Sequence, residues 1–203
     1  MMNTTNTLPT DIQVYCNCMA EVRNRIGVVQ GVLAGSTTTG NEAFNIELIF
    51  LQLRKTLELI ALGSLSANKA AYSTAHENFA NHWNAKKILD HLARVNVDFY
   101  PDPLNPPQET ATGGKHFSRP TDGFMTKDEF ASLYDSCSNV LHTRNPFTPK
   151  DPTIQIGYSV HEWVARIQRL LGWHLVHLLD GNKWIVNIPS EGNVHTWSAS
   201  PSD

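Results

Sequence analysis

A group of polar side chains ends an otherwise apolar helical pattern in the stretch YDSCSNVLHTRNPF, residues 134–147. Ser138 and His142 are one helical turn apart, and Arg144 follows shortly before a proline. A histidine can act as a general acid or base towards a ribose hydroxyl, and an arginine can stabilise the charge that develops on a phosphate. These residue types are therefore suited to cutting RNA without a metal ion. The plainer interpretation is a helix C-terminus, where the helix dipole stabilises a protonated histidine.

A second set of charges lies on the most apolar helix predicted in the chain. Glu47, Arg54 and Glu58 are spaced by seven and four residues, so they share one face of a helix that has little polar surface. Buried charges persist only when they are paired and hydrogen-bonded, so we expect polar partners from a neighbouring helix, and the candidates are His142, Arg144 and Ser138. The alternative is an ordinary surface pair between Arg54 and Glu58. The candidate catalytic residues are Arg54, Glu58, His142 and Arg144.

Three segments within residues 44–147 carry a resemblance to known proteins. LRKTLELIALGSLSANKAAY, NHWNAKKILDHLARVNVDFYPDP and FMTKDEFASLYDSCSNVLHTRNPF resemble a family of uncharacterised bacterial proteins with an Arg-x-x-x-Glu helix and a later Leu-His-x-x-Asn-Pro helix end. In general layout the chain is similar to HEPN-like helical bundles. That superfamily includes RNases of toxin and phage-defence systems, and inactive members that bind nucleotides or partners. The resemblance therefore implies either RNA cleavage or a binding role in such a system.

The HEPN resemblance also implies an alternative catalytic pair. Its nuclease signature is an arginine followed a few positions later by a histidine, and Arg169 and His174 fit that spacing. Leucine follows Arg169 where the family prefers a polar residue. His174 also falls on the apolar face of the last predicted helix, where a hydrogen-bonded core histidine is the plainer interpretation. Both candidate sets stay open on the sequence.

Apolar residues recur every three or four positions over most of the chain, which predicts a mainly α protein built as a bundle of about five helices. The first helix starts at Asp11. The second, over residues 41–65, is apolar on nearly all sides, as expected of a central helix. One or two helices follow over residues 69–96. Capping-box patterns at Thr126 and Ser159 predict the starts of the last two helices, which run to about residues 142 and 178.

Two segments are predicted to be non-helical. Prolines in VDFYPDPLNPPQ stop the helical pattern, so residues 97–123 are predicted to form a long loop with a short hairpin around GGKHFS. KWIVNI and NVHTW, separated by PSEG, predict a small C-terminal β-hairpin over residues 183–198. We therefore expect a single domain over residues 1–203, with a helical bundle over 10–180 and the hairpin as an appendage.

The composition argues against several classes of function. The 203 residues carry 16 basic and 19 acidic side chains, and a net charge of −3 gives no overall attraction to nucleic acid or anionic lipid. The chain has no glycine-rich phosphate loop after a predicted strand and no Gly-x-Ser-x-Gly motif, which disfavours common ATPases, dehydrogenases and hydrolases. Nine histidines occur without the paired Glu-x-x-His pattern of di-iron bundles, so neither a metal nor a cofactor is expected.

No membrane association is expected. The most apolar run, residues 46–65, carries four charged side chains, and each charge would cost about 2.5–3.5 kcal/mol at a bilayer centre. The N-terminal stretch lacks the pattern of a secretory signal, and the three cysteines do not suggest a disulfide framework. These observations predict a cytoplasmic protein.

Aromatic residues on the predicted hairpin suggest a partner. Trp184 and Trp197 lie on its first and second strands, where one face packs and the other is free for binding. The predicted partners are a second copy of the chain, RNA or another protein. A non-enzymatic binding or regulatory role is favoured over catalysis, because many bundles of this kind bind rather than cut.

Overall fold

Six helices and six short strands are present in the part of the chain that the computed structural model describes, residues 10–75, 84–143, 147 and 155–200. The fold is mainly α with a small antiparallel sheet, as predicted. Candidate residue Arg144 lies outside the described residues. The helices are α1 Asp11–Leu33, α2 Glu42–Ala67, α3 Lys69–Ala75, α4 Ala85–Val95, α5 Lys127–Leu141 and α6 Val160–Leu171.

The first two helices build the largest part of the core. The predicted three-and-four spacing on α1 is confirmed, because one face of that helix is buried along its length. Helix α2 starts after Asn41, whose side-chain oxygen accepts hydrogen bonds from the backbone N–H groups of Ala43 and Phe44. It packs against α1, α4 and α5, which explains its nearly continuous apolar sequence. Of the described helices, none is both long enough and apolar enough to cross a membrane.

Helix α5 starts at the predicted capping box. The Thr126 hydroxyl accepts from the Glu129 backbone N–H, and the Glu129 carboxylate accepts from the Thr126 N–H at 2.8 Å. The same carboxylate accepts from the Arg166 guanidinium on α6 at 2.6 Å, so the start of α5 is tied to α6. At the other end, α5 stops at Leu141, with His142 as its C-cap.

The prediction that the last helix runs to about residue 178 is wrong. Helix α6 ends at Leu171, and residues Trp173–His177 form a strand. In this strand, side chains alternate between the core and the outer face, so that His174 and Val176 are buried and their neighbours are less so. This strand pairs with β5 along its whole length and with β1 at His174 and Leu175, an arrangement that a continued helix would exclude. The apolar spacing predicted a helix here because residues 174 and 178 also fit the apolar face of a continued α6.

The main sheet has four antiparallel strands in the order β1-β4-β5-β6, and a separate two-stranded sheet pairs β2 with β3. The hairpin predicted over 183–198 is present as β5 and β6, and it continues through β4 to β1. The hairpin expected around GGKHFS corresponds to β2 and β3. The strands are β1 Asp102–Pro103, β2 Gln108–Glu109, β3 Lys115–His116, β4 Trp173–His177, β5 Lys183–Asn187 and β6 His195–Ala199.

The four-stranded sheet has an inner and an outer face. On the inner face, Val176 and Val186 are buried in the core, and the Trp184 ring meets the Tyr15 ring edge-on with centroids 5.9 Å apart. The opposite positions, including Trp173 and Trp197, project outwards because alternate residues of a strand point to opposite sides. The sheet therefore closes one side of the helical core and presents its other side outwards.

Candidate functional site

Arg54 on α2 is the centre of a polar cluster that reaches α5. Its Nε donates to a Glu58 carboxylate oxygen at 3.2 Å, one Nη donates to the Ser138 hydroxyl at 3.1 Å, and the other makes a long 3.4 Å contact to the Tyr134 hydroxyl. The guanidinium also lies over the Tyr134 ring, 5.0 Å from its centroid. Arg54 thus contacts Ser138, one of the α5 partners that the sequence suggested, and both Arg54 and Glu58 contact Tyr134, which the sequence did not suggest.

The cluster is electrically balanced. The side chains of Arg54 and Glu58 are 25% and 24% exposed, so the pair is neither fully buried nor fully solvated. Burial raises the pKa of Tyr134 above that of free tyrosine, so its hydroxyl stays protonated near neutral pH. Arg54 therefore faces one carboxylate and two neutral hydroxyls. A group that stabilises an extra negative charge on phosphate needs surplus positive charge, and this cluster holds none among its own members.

The His142 side chain is not hydrogen-bonded to the side chains of the Arg54 cluster. His142 is an exposed C-cap whose backbone N–H donates to the carbonyl of Ser138 at 3.1 Å. Its ψ angle of 130° is extended, so the chain leaves the helix at this point. The imidazole makes no hydrogen bond with any described residue. The structure therefore places His142 at the end of the helix, as the plainer interpretation expects. Glu47, the third charged residue of the predicted face on α2, is also exposed.

The alternative pair, Arg169 and His174, is separated by the end of α6. Arg169 is exposed, and its Nη2 donates to the side-chain oxygen of Asn105 at 2.8 Å. His174 is fully buried in β4. Its Nδ1 lies 2.9 Å from the carbonyl of Leu171, which can only accept, so Nδ1 donates and Nε2 is left to accept from the Tyr15 hydroxyl at 2.7 Å. These two side chains therefore occupy different environments, and His174 is placed in the core.

The described residues offer little for metal or thiol chemistry. No group of three or more histidine, cysteine, aspartate or glutamate side chains among them could hold a metal ion. Burial raises the pKa of Cys137 to about 12 and that of Cys18 to about 11, so both thiols stay protonated and are poor nucleophiles near neutral pH.

The outer face of the sheet carries an aromatic site, which we call the tryptophan face. Trp173 on β4 and Trp197 on β6 lie nearly parallel, with ring centroids 5.7 Å apart and an angle of 10° between the rings. The Phe117 ring, which follows β3, lies 5.5 Å from that of Trp173. With Lys115 and Ile185, these residues line a cavity of about 220 Å³. Trp197 is 46% exposed, so one of its surfaces is free for contact.

The strand register explains how the tryptophan face forms. Trp197 pairs with Ile185 on the neighbouring strand, and Ile185 pairs with Leu175 on β4, so these positions share the outer side of the sheet. Trp173 lies two residues before Leu175 and is therefore on the same side. Once Trp173–His177 is recognised as a strand, alternation places Trp173 on the same side of the sheet as Leu175, and the strand register brings it near Trp197. The site was not predicted from the sequence, because this segment was expected to be helical.

A polar group borders the tryptophan face at the β1 edge. Asp102 accepts two hydrogen bonds from Nε and Nη2 of Arg119, the shorter at 2.7 Å, and contacts Nε2 of His177 at 3.2 Å. Burial acts to raise the pKa of Asp102, but the hydrogen bonds from Arg119 and His177 outweigh it and lower the pKa. The Arg119 side chain is nevertheless 61% exposed, so its guanidinium remains accessible to an anion.

Comparisons of the chain with profiles of protein families, with curated proteins and with solved structures give no match.

Proposed function

We propose that the protein is a non-enzymatic binding module whose tryptophan face stacks unpaired bases of single-stranded RNA. The observation that carries the proposal is the stacked pair of Trp173 and Trp197 with Phe117 around an open cavity on the outer side of the sheet. Aromatic side chains on an exposed sheet surface accept unpaired bases because every base has a flat ring face. A cavity lined by aromatic rings therefore suits a flat nucleic-acid base better than a side chain that is not flat.

The charges around the tryptophan face support an anionic ligand. Lys115 lines the cavity itself. Lys183 pairs with His177 in the strand register, so it lies on the same side of the sheet, and Arg119 is exposed at the β1 edge. Asp102 offsets Arg119, and Glu109 lies opposite Lys115 in the β2–β3 register. The remaining positive charge suits contact with a few phosphates rather than with a long stretch of duplex.

The test is binding of short single-stranded RNA, measured by fluorescence anisotropy of a labelled oligonucleotide at low salt. We expect the wild-type protein to bind, and Trp197→Ala to weaken binding roughly tenfold to hundredfold, because one stacked base contributes about 1–3 kcal/mol. Phe44→Ala is the matched control, since Phe44 is an exposed aromatic residue on α2 outside the tryptophan face. It should bind as the wild type does.

Two results would contradict this proposal. The first is an absence of RNA binding by the wild type at low salt. The second is self-association that Trp197→Ala abolishes, measured by sedimentation velocity over a range of concentrations. That outcome would make the tryptophan face the interface of a homodimer, because exposed aromatic rings and the outer edge of β6, which has no partner strand among the described residues, also suit pairing with a second copy.

The wider role we propose is regulatory, in a cytoplasmic toxin or phage-defence system of a bacterium, with the helices packed as a bundle around α2. Support for this role comes from the general layout of the chain, which is similar to that of HEPN-like bundles, whose inactive members bind nucleotides or partners. A binding role also agrees with the position of His142, which makes no hydrogen bond to Arg54 or Glu58.

Metal-independent RNA cleavage is the alternative function. It is favoured by the convergence of Arg54, Glu58, Tyr134 and Ser138 at a partly exposed junction of α2 and α5. The test is incubation of labelled RNA with the protein in the presence of a metal chelator, comparing the wild type with Arg54→Ala and His142→Ala. Cleavage by the wild type that either variant lacks would establish the alternative. Intact RNA in all three reactions is the result expected of a binding module.

A further inference from the structure

A second cavity, of about 300 Å³, lies between α1, α6 and the segment after β5. It is unrelated to the tryptophan face, because it shares no lining residue with it. Its volume is at the lower end of the range found for small-molecule sites. The walls are mostly aliphatic and come from Val22, Ile26, Ile167, Leu171 and Ile188.

Arg23 places a positive charge in the lining of this cavity. One Nη of its guanidinium donates to the carbonyls of Gly192 at 2.6 Å and Pro189 at 3.2 Å. Both acceptors are neutral, and among the described residues no carboxylate pairs with Arg23. Its Nε and second Nη also have no acceptor within the described part of the chain. An arginine with free, parallel donors is the side chain best suited to receive a carboxylate.

Gly27 is the second independent feature of the cavity. It lies within α1, where glycine destabilises a helix relative to alanine. Packing within the chain does not explain it, because a Cβ at Gly27 would have no atom within 4 Å. The other two glycines inside α1 and α2 differ, since a Cβ would approach Thr37 Oγ1 to 2.7 Å at Gly31 and Met19 Cε to 2.9 Å at Gly63. Gly27 lines the cavity, and its missing side chain leaves that space open.

We propose that the cavity between α1 and α6 binds a small molecule with an apolar body and a single carboxylate. The apolar body packs against the aliphatic walls in the space left by Gly27. The carboxylate accepts hydrogen bonds from the free Nε and Nη2 of Arg23. The charge of Arg23 decides the class of ligand, because an aliphatic cavity with one unpaired cation at its edge favours a monoanion over a neutral or cationic molecule.

The test uses octanoate as the probe, with octanol and octylamine as matched neutral and cationic molecules, and measures binding by isothermal titration calorimetry. We expect octanoate to bind more tightly than octanol, and octylamine to bind least. Arg23→Gln should weaken octanoate binding roughly tenfold to hundredfold, the range expected for lost charged hydrogen bonds, while leaving octanol binding unchanged.

Gly27→Leu keeps the test decisive if Arg23→Gln disturbs the segment after β5. Leucine favours helix and meets no clash at its Cβ, so this variant should melt no lower than the wild type, yet its side chain fills the cavity and should abolish octanoate binding. Gly27→Ala is the control and should retain binding. The proposal is wrong if Gly27→Leu binds octanoate as the wild type does, or if the wild type binds octanol as tightly as octanoate.

Discussion

The Tyr15 hydroxyl donates a buried 2.7 Å hydrogen bond to Nε2 of His174, linking α1 to strand β4. Both side chains are fully buried. Because the other imidazole nitrogen donates to the carbonyl of Leu171, the neutral ring leaves Nε2 as the acceptor for the Tyr15 O–H, and that hydroxyl would lose its acceptor if His174 were protonated. Protonation would place a charge in the core and turn Nε2 into a second donor facing the tyrosine hydroxyl.

This arrangement predicts a loss of stability in mild acid. Burial lowers the pKa of His174 from its ordinary value of 6.5 to about 4. The unfolded chain therefore binds a proton before the folded one does, and the stabilising contribution is complete above pH 6.5 and is lost as the pH falls towards 4. The expected loss is about 3 kcal/mol, measured as the free energy of unfolding in urea across that pH range.

The double variant Tyr15→Phe/His174→Leu supplies the control for this pH effect. It removes the titrating group together with the hydroxyl that would lose its acceptor, so its free energy of unfolding should change much less between pH 6.5 and 4. A variant with the same pH dependence as the wild type would show that another group causes it.

His174 also shows where the sequence was informative and where it was not. Its role as a hydrogen-bonded core residue could be predicted, because it falls on an apolar pattern with either a helical or a strand period. Its secondary structure could not, because Trp173–His177 follows α6 after a single glycine, and five residues are too few to distinguish the two periods. The strand is decided by pairing with β5, the next strand along the chain, and with β1, which is distant in sequence.

The candidate sites, too, could be predicted only in part. Arg54 and Glu58 share a helix face at a spacing that the sequence displays, so their contact with each other and their position towards α5 could be predicted. Ser138 could be expected as a partner, but the lack of a hydrogen bond from the His142 side chain could not, because that depends on where the helix ends. Leu141 is the last helical residue, and the extended backbone at His142 follows it. The tryptophan face depends on three strands and a segment after β3, and no local pattern records that assembly.

Glu129 is predicted to contribute to stability through its contact with α6. Glu129→Gln removes the charge that receives Arg166 and leaves too few acceptors for Arg166, Tyr158 and the Thr126 N–H together. We expect a loss of about 1.5–3 kcal/mol in the free energy of unfolding, the usual range for charged hydrogen bonds. Glu162→Gln is the matched control, because Glu162 contacts the same arginine at 3.4 Å but is 46% exposed, and it should cost less than about 1 kcal/mol.

The same carboxylate predicts a second, more acidic pH effect. Burial acts to raise the pKa of Glu129, but hydrogen bonds from the Thr126 N–H, Arg166 and Tyr158 outweigh it and lower the pKa below its ordinary value of 4.5. Its stabilising contribution is therefore present above pH 4.5 and lost as the pH falls through the lowered folded value. Urea unfolding below pH 4.5 should show a smaller further loss in Glu129→Gln than in the wild type; equal losses would contradict this assignment.

Thr56 is predicted to be a site where a polar atom lowers stability. Its hydroxyl is buried in α2 and has no hydrogen-bond partner among the described residues. Thr56→Val keeps the shape and the β-branch but removes the unsatisfied oxygen. We therefore expect the free energy of unfolding, measured by thermal unfolding, to rise by about 1 kcal/mol. Thr74→Val, at an exposed helical threonine whose hydroxyl donates to the Ala70 carbonyl, should give no gain. A destabilised Thr56→Val would mean that its hydroxyl has a partner after all.

Alanine at the two glycines Gly27 and Gly63 is predicted to have unequal effects on stability. At Gly27 the new Cβ meets no atom within 4 Å, so Gly27→Ala should raise the free energy of unfolding by about 0.5–1 kcal/mol, the cost of glycine inside a helix. At Gly63 the same Cβ would lie 2.9 Å from Met19 Cε and 3.4 Å from the Tyr15 ring, both in the fully buried core. Overpacking there opposes the helical gain, and Gly63→Ala should be the less stable of the two variants in urea unfolding. If Gly27→Ala were instead destabilising, the space beside α1 would already be filled within the folded chain, and the cavity between α1 and α6 would not be open to a ligand.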